Sequence, residues 1–168
     1  MSTYHAELIA KAKKVKLLIL DCDGVLTDGK IYFTHHGEEM IGFNVLDGYG
    51  IVLLRQTDIQ IAVISGRDTP AVFHRLTQLK IPHIFLGQLE KITAFESLLK
   101  QLKITPEEVA YMGDDLPDID VMQKVGLPIA VHNAMPAVKK IATLCTEKKG
   151  GEGAVREICD LLFAAHRA

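Results

Sequence analysis

The sequence predicts an α/β domain with a parallel sheet, helices on both faces of the sheet and a small β-hairpin that protrudes from it. Three observations support this fold class. Short apolar runs typical of buried strands alternate with amphipathic segments typical of helices. Several of the apolar runs end directly in acidic or other polar residues. The length of 168 residues and the 48% hydrophobic content fit a single domain over residues 1–168.

The first third of the chain begins with a short amphipathic helix and continues in strands. Leu17–Leu20 is an apolar run that ends at an acidic pair, which is typical of a buried parallel strand. Residues 30–43 form two apolar clusters around a turn at 35–37, the pattern of a hairpin. A helix is predicted after residues 47–50, and a second buried strand at residues 59–64.

The middle of the chain continues the alternation. Thr69 and Pro70 predict the N-cap and first turn of a helix. Its expected apolar face consists of Val72, Phe73, Leu76 and Leu79. A short strand is predicted at residues 83–86. It is followed by a helix whose apolar stripe runs from Leu89 to Leu102, with Lys91 near the start.

The last third supplies the remaining strands. Residues 105–108 have the spacing of a capping box, and the next strand is expected at 109–112. Further short strands are expected at 127–131 and 142–146, with a helical turn between them. The tail, residues 148–168, is predicted to be a flexible glycine-rich segment followed by a helix.

Composition excludes several classes of protein. A formal net charge of −2 argues against a broad nucleic-acid surface. No apolar stretch approaches the length of a membrane span, and no signal-peptide core precedes the first lysines. The cysteines, Cys22, Cys145 and Cys159, are odd in number and lack a CxxC pair. We therefore expect neither disulfides nor a zinc site, no membrane or nucleic-acid partner, and a reducing, cytoplasmic setting.

Polar groups follow four of the predicted strands, and parallel strands bring such groups to one sheet edge. These groups are Asp21 and Asp23, Ser65, Lys91, and Asp114, Asp115 and Asp118. Close carboxylates repel each other unless a cation lies between them, and Mg²⁺ prefers oxygen ligands. Ser65 and Lys91 could hold phosphate oxygens. One of Asp21 and Asp23 could attack phosphorus while the other acts as general acid and then base.

This ordered set resembles the haloacid dehalogenase superfamily of phosphohydrolases. The four motifs are Asp21-Cys22-Asp23-Gly24, Ser65, Lys91, and Gly113-Asp114-Asp115-Leu116-Pro117-Asp118. The resemblance implies a Rossmann-like sheet and an Asp21 nucleophile that forms an aspartyl-phosphate, with Asp23 as acid and base. It implies that Mg²⁺ is held by Asp21, the main-chain carbonyl of Asp23, and Asp114. Asp115 and Asp118 would lie outside the metal ligands, orienting its waters and Lys91.

The gaps between these motifs are too short for a folded cap domain of ordinary size. A site without a cap is open, so another part of the molecule must exclude water and select the substrate. The apolar residues of the hairpin are a candidate contact surface for a neighbouring subunit.

The chain also contains longer motifs: DGVLTDG (23–29), FNVLDGYGI (43–51), ISGR (64–67), GDDLPD (113–118) and GGEGAVREICDLL (150–162). Together they resemble one family within this superfamily, the 3-deoxy-D-manno-octulosonate 8-phosphate phosphatases of lipopolysaccharide biosynthesis. The resemblance implies hydrolysis of a sugar-acid phosphate. It also implies a homotetramer whose hairpins associate and whose tail can cover a neighbour's site. The implied substrate-binding residues are Asn44, Asp47, Gly48, Gly66, Arg67 and Arg75.

The chain departs from that family's pattern at Leu46 and Val52, where arginines are common, and at Glu152, where a basic residue is common. Because arginine binds carboxylates and phosphates through a planar fork, these changes keep open a nonulosonate (sialic-acid-like) 9-phosphate as the alternative substrate. Outside the sugar-acid phosphatases, the sequence also leaves open a receiver-type signalling domain and a non-catalytic tetramerisation module.

Overall fold

The computed structural model of the protein describes residues 3–167; residues 1, 2 and 168 of the expected domain lie outside this part. The strands are β1 Leu17–Leu20, β2 Tyr32–Phe33, β3 Glu39–Met40, β4 Gln60–Ile64, β5 His83–Phe85, β6 Val109–Gly113, β7 Leu127–Ala130 and β8 Leu144–Cys145. The helices are α1 Thr3–Ala12, α2 Val45–Leu54, α3 Pro70–Gln78, α4 Lys91–Leu102, α5 Ile119–Met122, α6 Pro136–Ile141 and α7 Ala154–Arg167. Single 3₁₀ turns occur at Pro106–Glu108 and Leu116–Asp118.

Six strands form one parallel sheet in the order β5-β4-β1-β6-β7-β8. The central strand β1 pairs with β4 on one side and β6 on the other, so that Leu17 lies opposite Gln60 and Val109. The chain builds the sheet outward through β4 and β5, then returns to the other side of β1. The strand order therefore reverses at β1, and the carboxyl ends of β1, β4 and β6 meet where such sheets bind ligands.

Helices flank the sheet, which confirms the predicted fold class. All four residues of β1 are buried, as expected for a strand covered on both faces. Helix α7 packs against α2 and α1, while α4 packs against α5 and α5 against α6. None of the helices in the described part of the chain has the length and apolar character needed to cross a membrane.

Helix α2 begins earlier than the sequence predicted. It starts at Val45, whereas residues 47–50 were expected to precede it. The Asn44 side chain caps the helix by accepting a hydrogen bond from the Leu46 amide at 2.8 Å. Two glycines, Gly48 and Gly50, normally disfavour a helix interior, but here both are buried against neighbouring elements. Capping and packing therefore outweigh the low helix propensity of the glycines.

Two apolar residues expected in the core are exposed. Phe73 is 55% exposed because the buried face of α3 consists of Val72 and Leu76, and is continued by Leu79 just after the helix. Leu89 is 84% exposed because it lies in the loop before α4, which begins only at Lys91. Periodicity alone shows neither the edge of the buried face of α3 nor the residue at which α4 begins.

The hairpin predicted at residues 30–43 consists of β2 and β3 in antiparallel pairing, Tyr32 opposite Met40. Its turn is closed by the Thr34 amide, which donates to the Glu38 carbonyl at 2.9 Å. The hairpin presents apolar side chains to solvent, with Phe33 65% exposed.

The glycine-rich segment of the predicted tail lies against its own chain. Gly150 touches the carbonyl of Gly24 so closely that a Cβ at Gly150 would overlap it. The Asn44 side-chain amide donates to the Gly151 carbonyl at 3.1 Å. Beyond this segment, α7 contributes core residues such as Ile158 and Leu162.

Candidate active site

The acidic groups predicted to converge do so at the point where the strand order reverses. Asp21 directly follows β1, Ser65 follows β4, and Asp114 follows β6. Carboxylate oxygens of Asp21, Asp114 and Asp118 all lie within 4.8 Å of one another. Asp21 and Asp118 are buried, and Asp114 is half-buried. The parallel sheet therefore assembles a compact carboxylate cluster from motifs that are about 90 residues apart in sequence.

The loop after β1 is shaped to bring backbone close to this cluster. Thr27 Oγ1 accepts hydrogen bonds from the Gly24 amide at 3.3 Å and the Gly29 amide at 3.2 Å. Gly24 has a φ of +87°, and a Cβ at this position would overlap the Asp114 carboxylate. Glycine is therefore required at position 24 by both its backbone conformation and its contact with Asp114.

Lys91 links two acids of the cluster. Its Nζ donates to Asp21 Oδ1 at 2.6 Å and to Asp118 Oδ1 at 2.7 Å, and its side chain is buried. Burial opposes the charge of Lys91, but the two carboxylates outweigh this effect and raise its pKa above the usual value. Lys91 is therefore a fixed positive charge beside Asp21.

Asp118 is held by four donors. Besides Lys91, its Oδ1 accepts from the Tyr111 hydroxyl at 2.6 Å, and its Oδ2 accepts from the amides of Asp114 at 2.9 Å and Asp115 at 3.2 Å. A carboxylate has about four acceptor positions, so these bonds use them all. Asp118 therefore organises the cluster, whereas Asp21 and Asp114 are the carboxylates better suited to contact a metal ion.

The donor set fits a divalent cation. Burial, and then the negative charges of neighbouring acids, raise the pKa of Asp21 to about 6 and that of Asp114 to about 8. The cluster thus carries more negative charge than Lys91 alone can balance. Oxygen ligands crowded in this way are what Mg²⁺ prefers, and a cation bound there would offset the repulsion.

Asp23 points to a different neighbour. Its Oδ2 lies 3.0 Å from Arg67 Nε, an ion pair by distance although the N–H is not aligned for a hydrogen bond. Arg67 Nη2 donates to Glu39 Oε1 of the hairpin at 2.7 Å. Burial raises the pKa of Asp23 even though Arg67 opposes this effect. A carboxyl group with a raised pKa is suited to donate a proton as a general acid.

These groups line a cavity of about 330 Å³. Its lining residues are Asp21, Asp23, Gly29, Ser65, Gly66, Arg67, Gln88, Leu89, Lys91, Asp114, Asp115, Pro117 and Asp118. Ser65 Oγ accepts from the Arg67 amide at 3.2 Å, which fixes the loop after β4. All seven residues predicted from the strand ends, together with Gly66 and Arg67, therefore share one cavity.

Four of the expected substrate-binding residues, Asn44, Asp47, Gly48 and Arg75, lie outside the lining of this cavity in the single chain, and their contact with substrate stays a prediction. Asp47 is buried under α7, where its Oδ1 accepts from the Arg156 amide at 2.8 Å and its Oδ2 from the Gly153 amide at 3.3 Å. Arg75 packs directly on Gly48, with 2.6 Å between its Nη2 and an ideal Cβ there. In the single chain these residues join α2 to α3 and α7.

Some residues of the site gave no clear signal in the sequence. Tyr111 is a buried tyrosine in an otherwise aliphatic strand, and its hydroxyl needs a partner, which is a signal that could have been used. Glu39 lies in the hairpin, and its contact with Arg67 depends on how the hairpin folds back. Gln88 lines the cavity from the loop before α4, whose path the sequence does not specify.

Comparison with known proteins gives one consistent result. Residues 78–158 match the family of haloacid dehalogenase-like hydrolases. The chain is 52% identical over 160 residues to the 3-deoxy-D-manno-octulosonate 8-phosphate phosphatase of Escherichia coli (strain K12). This match covers 95% of the chain and 85% of that protein.

Solved structures agree with the sequence matches. The crystal structure of 3-deoxy-D-manno-octulosonate 8-phosphate phosphatase from Yersinia pestis has a TM-score of 0.93 and 46% identity, covering 96% of this chain and 87% of that one. The same enzyme from Moraxella catarrhalis, in complex with magnesium ion, phosphate ion and a KDO molecule, has a TM-score of 0.93 and 41% identity. That match covers 96% of this chain and 92% of the other.

Proposed function

Because the chain belongs to the 3-deoxy-D-manno-octulosonate 8-phosphate phosphatase family of haloacid dehalogenase-like hydrolases, we propose that it hydrolyses 3-deoxy-D-manno-octulosonate 8-phosphate to the free sugar acid and phosphate. This reaction serves lipopolysaccharide biosynthesis. The single observation that carries the proposal is the carboxylate cluster of Asp21 and Asp114 with Lys91 between Asp21 and Asp118. Family membership also argues against a receiver-type signalling domain.

The proposed roles follow from the position of each side chain. An Asp21 oxygen attacks phosphorus, and the bond from phosphorus to the sugar oxygen breaks as Asp23 gives that oxygen its proton. Asp23 then takes a proton from water, whose oxygen attacks the aspartyl-phosphate and releases phosphate and the Asp21 carboxylate. The raised pKa of Asp23 supports its role as the acid.

The remaining residues of the site are proposed to bind Mg²⁺, to bind the phosphate group or to position these ligands. Asp21 and Asp114, with the main-chain carbonyl of Asp23, are the proposed ligands of Mg²⁺, which when bound supplies positive charge to the carboxylates and the phosphate. Lys91 and Ser65 provide donors for phosphate oxygens, and Gly66 and Arg67 face the same cavity as substrate-binding candidates. Asp118 keeps Lys91 in position, and Asp115 caps the turn that carries Asp118.

Phosphate release from 3-deoxy-D-manno-octulosonate 8-phosphate tests the proposal. With Mg²⁺ present the protein should turn over this substrate, and Asp21→Asn should lower kcat at least about 1,000-fold because the attacking group is lost. Asp58→Asn, which changes an exposed acid outside the cavity, is the matched control. Near-normal kcat in Asp21→Asn would overturn the nucleophile assignment, and a higher kcat/KM with a nonulosonate 9-phosphate would overturn the substrate.

We further propose that the chain forms a homotetramer. Exposed apolar residues are concentrated in the hairpin and on α2, a pattern typical of subunit contacts. They are Ile31, Tyr32, Phe33, Met40, Val45, Leu46, Tyr49 and Val52. Leu46 and Val52, which replace arginines common in the family, lie in this surface and outside the cavity. A monomer in sedimentation at micromolar concentration would contradict the proposal.

A cytoplasmic location is also proposed. The odd number of cysteines and the absence of a CxxC pair are typical of proteins that fold in a reducing compartment. A sugar-acid phosphate and Mg²⁺ are both small solutes, so the proposed reaction needs neither a membrane nor a nucleic-acid partner.

A further inference from the structure

We propose that Tyr111 is a positioning residue of this site: its hydroxyl fixes the Asp118 carboxylate, which in turn holds the Lys91 ammonium beside Asp21. This inference rests on the proposed phosphatase function. It adds a role for a residue that does not line the cavity and whose hydroxyl bonds Asp118.

Three consecutive hydrogen bonds connect Tyr111 to Asp21 through Asp118 and Lys91. Tyr111 lies in β6, is fully buried, and donates its hydroxyl hydrogen to Asp118 Oδ1 at 2.6 Å. The Lys91 ammonium donates to the same oxygen at 2.7 Å and to Asp21 Oδ1 at 2.6 Å. A hydroxyl buried in this way, with its pKa raised well above the usual value by desolvation, remains a neutral donor.

The position of Lys91 depends on Asp118 Oδ1, which accepts from both the Tyr111 hydroxyl and the Lys91 ammonium. Asp118 and Asp21 compete for the same ammonium, and hydrogen bonds to a charged group are strong and sensitive to its charge density. The Tyr111 hydroxyl draws part of the negative charge of Asp118 Oδ1, so that the ammonium is shared with Asp21. Without the hydroxyl, we expect Lys91 to move towards Asp118 and its bond to Asp21 to lengthen.

Loss of the Tyr111 hydroxyl should lower kcat rather than raise KM. Tyr111 does not line the cavity, so loss of its hydroxyl changes the surface that meets the substrate only through the position of Lys91. The position of Lys91 relative to Asp21, however, matters when Asp21 reacts with phosphorus. We expect Tyr111→Phe, which keeps the ring and its packing, to lower kcat about tenfold with KM changed less than about twofold.

The decisive experiment is a double-mutant cycle in the full-length protein with Mg²⁺ and 3-deoxy-D-manno-octulosonate 8-phosphate. If Tyr111 acts through Asp118, then Tyr111→Phe added to Asp118→Asn costs no further kcat, because the linking group is already changed. Multiplicative losses in the double variant would overturn the proposal. So would a kcat for Tyr111→Phe within twofold of the wild type. Ser97→Ala, which removes an exposed hydroxyl on α4 outside the cavity and the proposed subunit surface, is the matched control.

A second measurement covers the case in which Asp118→Asn fails to fold. A crystal structure of Tyr111→Phe should show a longer distance from Lys91 Nζ to Asp21 Oδ1 than the 2.6 Å of the wild-type chain. An unchanged distance would overturn the proposal. If the wild-type chain itself released no phosphate from any sugar-acid phosphate, the proposed function would fail instead, and the two failures are therefore distinguishable.

Discussion

The sequence was sufficient to predict those residues of the site that directly follow a buried strand. Asp21, Ser65 and Asp114 each follow a buried strand, and the parallel sheet carries them to one edge. The hydrogen bonds of Asp47 were not predictable from the sequence, because the amides that donate to its carboxylate belong to residues more than 100 positions later. The family resemblance implied that Asp47 binds substrate, and the structure shows that its carboxylate accepts from the Gly153 and Arg156 amides.

Gly24 provides a test of how closely the loop must approach the metal ligands. Gly24→Ala should weaken Mg²⁺ binding about 10- to 100-fold, because the new Cβ would displace the Asp114 carboxylate. Calorimetric titration of Mg²⁺ and the Mg²⁺ dependence of phosphate release would measure the change.

The matched control is Gly37→Ala. Gly37 has a φ of +81° but no atom within 4 Å of its ideal Cβ, so this variant has the backbone strain without the collision. It should lose about 1 kcal/mol of stability and keep its Mg²⁺ affinity. Equal Mg²⁺ affinities in the two variants would show that the contact with Asp114 is unimportant.

Among the elements, β1, β4 and β6 matched prediction closely because continuous apolar runs bounded by polar residues specify buried strands. The predicted start of α2 was wrong because Gly48 and Gly50 resemble a turn in sequence. Phe73 and Leu89 were expected in the core but are exposed. The spacing of apolar residues identifies one face of a helix, but it does not show which part of that face a neighbouring element covers.

Helix α7 depends on Asp47 for its N-terminal cap. Asp47→Ala should lower the free energy of unfolding by about 1–3 kcal/mol, because the buried amides of Gly153 and Arg156 lose their acceptors. KM should change little, since Asp47 does not line the cavity. Denaturant unfolding and steady-state kinetics, with exposed Asp58→Ala as control, would measure both. A raised KM with unchanged stability would instead favour the substrate-binding role.

For the whole molecule, the carboxylate cluster couples stability to pH and to Mg²⁺. The folded-state pKa values of Asp21 and Asp114 are raised above the ordinary value near 4, to about 6 and about 8. The folded state therefore binds more protons than the unfolded state, and the metal-free protein should lose stability as pH rises from about 4 to about 8. Mg²⁺ requires the ionised carboxylates and offsets this loss.

Thermal unfolding with EDTA and with Mg²⁺ would measure this coupling. At one fixed Mg²⁺ concentration, we expect the Tm to rise more at pH 8 than at pH 5. Asp114→Asn should reduce the difference, because it removes one of the two raised pKa values. Equal Tm shifts at both pH values would contradict a metal site built on these two acids.

The burial of α7 against α2 also affects how the chain can fold during its synthesis. On the ribosome, β1 emerges long before residues 109–113, so the central strand lacks one neighbour until β6 has been made. The apolar face of α2 and the Asp47 carboxylate then stay uncovered until residues 154–167 emerge. We therefore expect the nascent polypeptide to depend on chaperones, and to be cut readily by proteases, until that late segment docks.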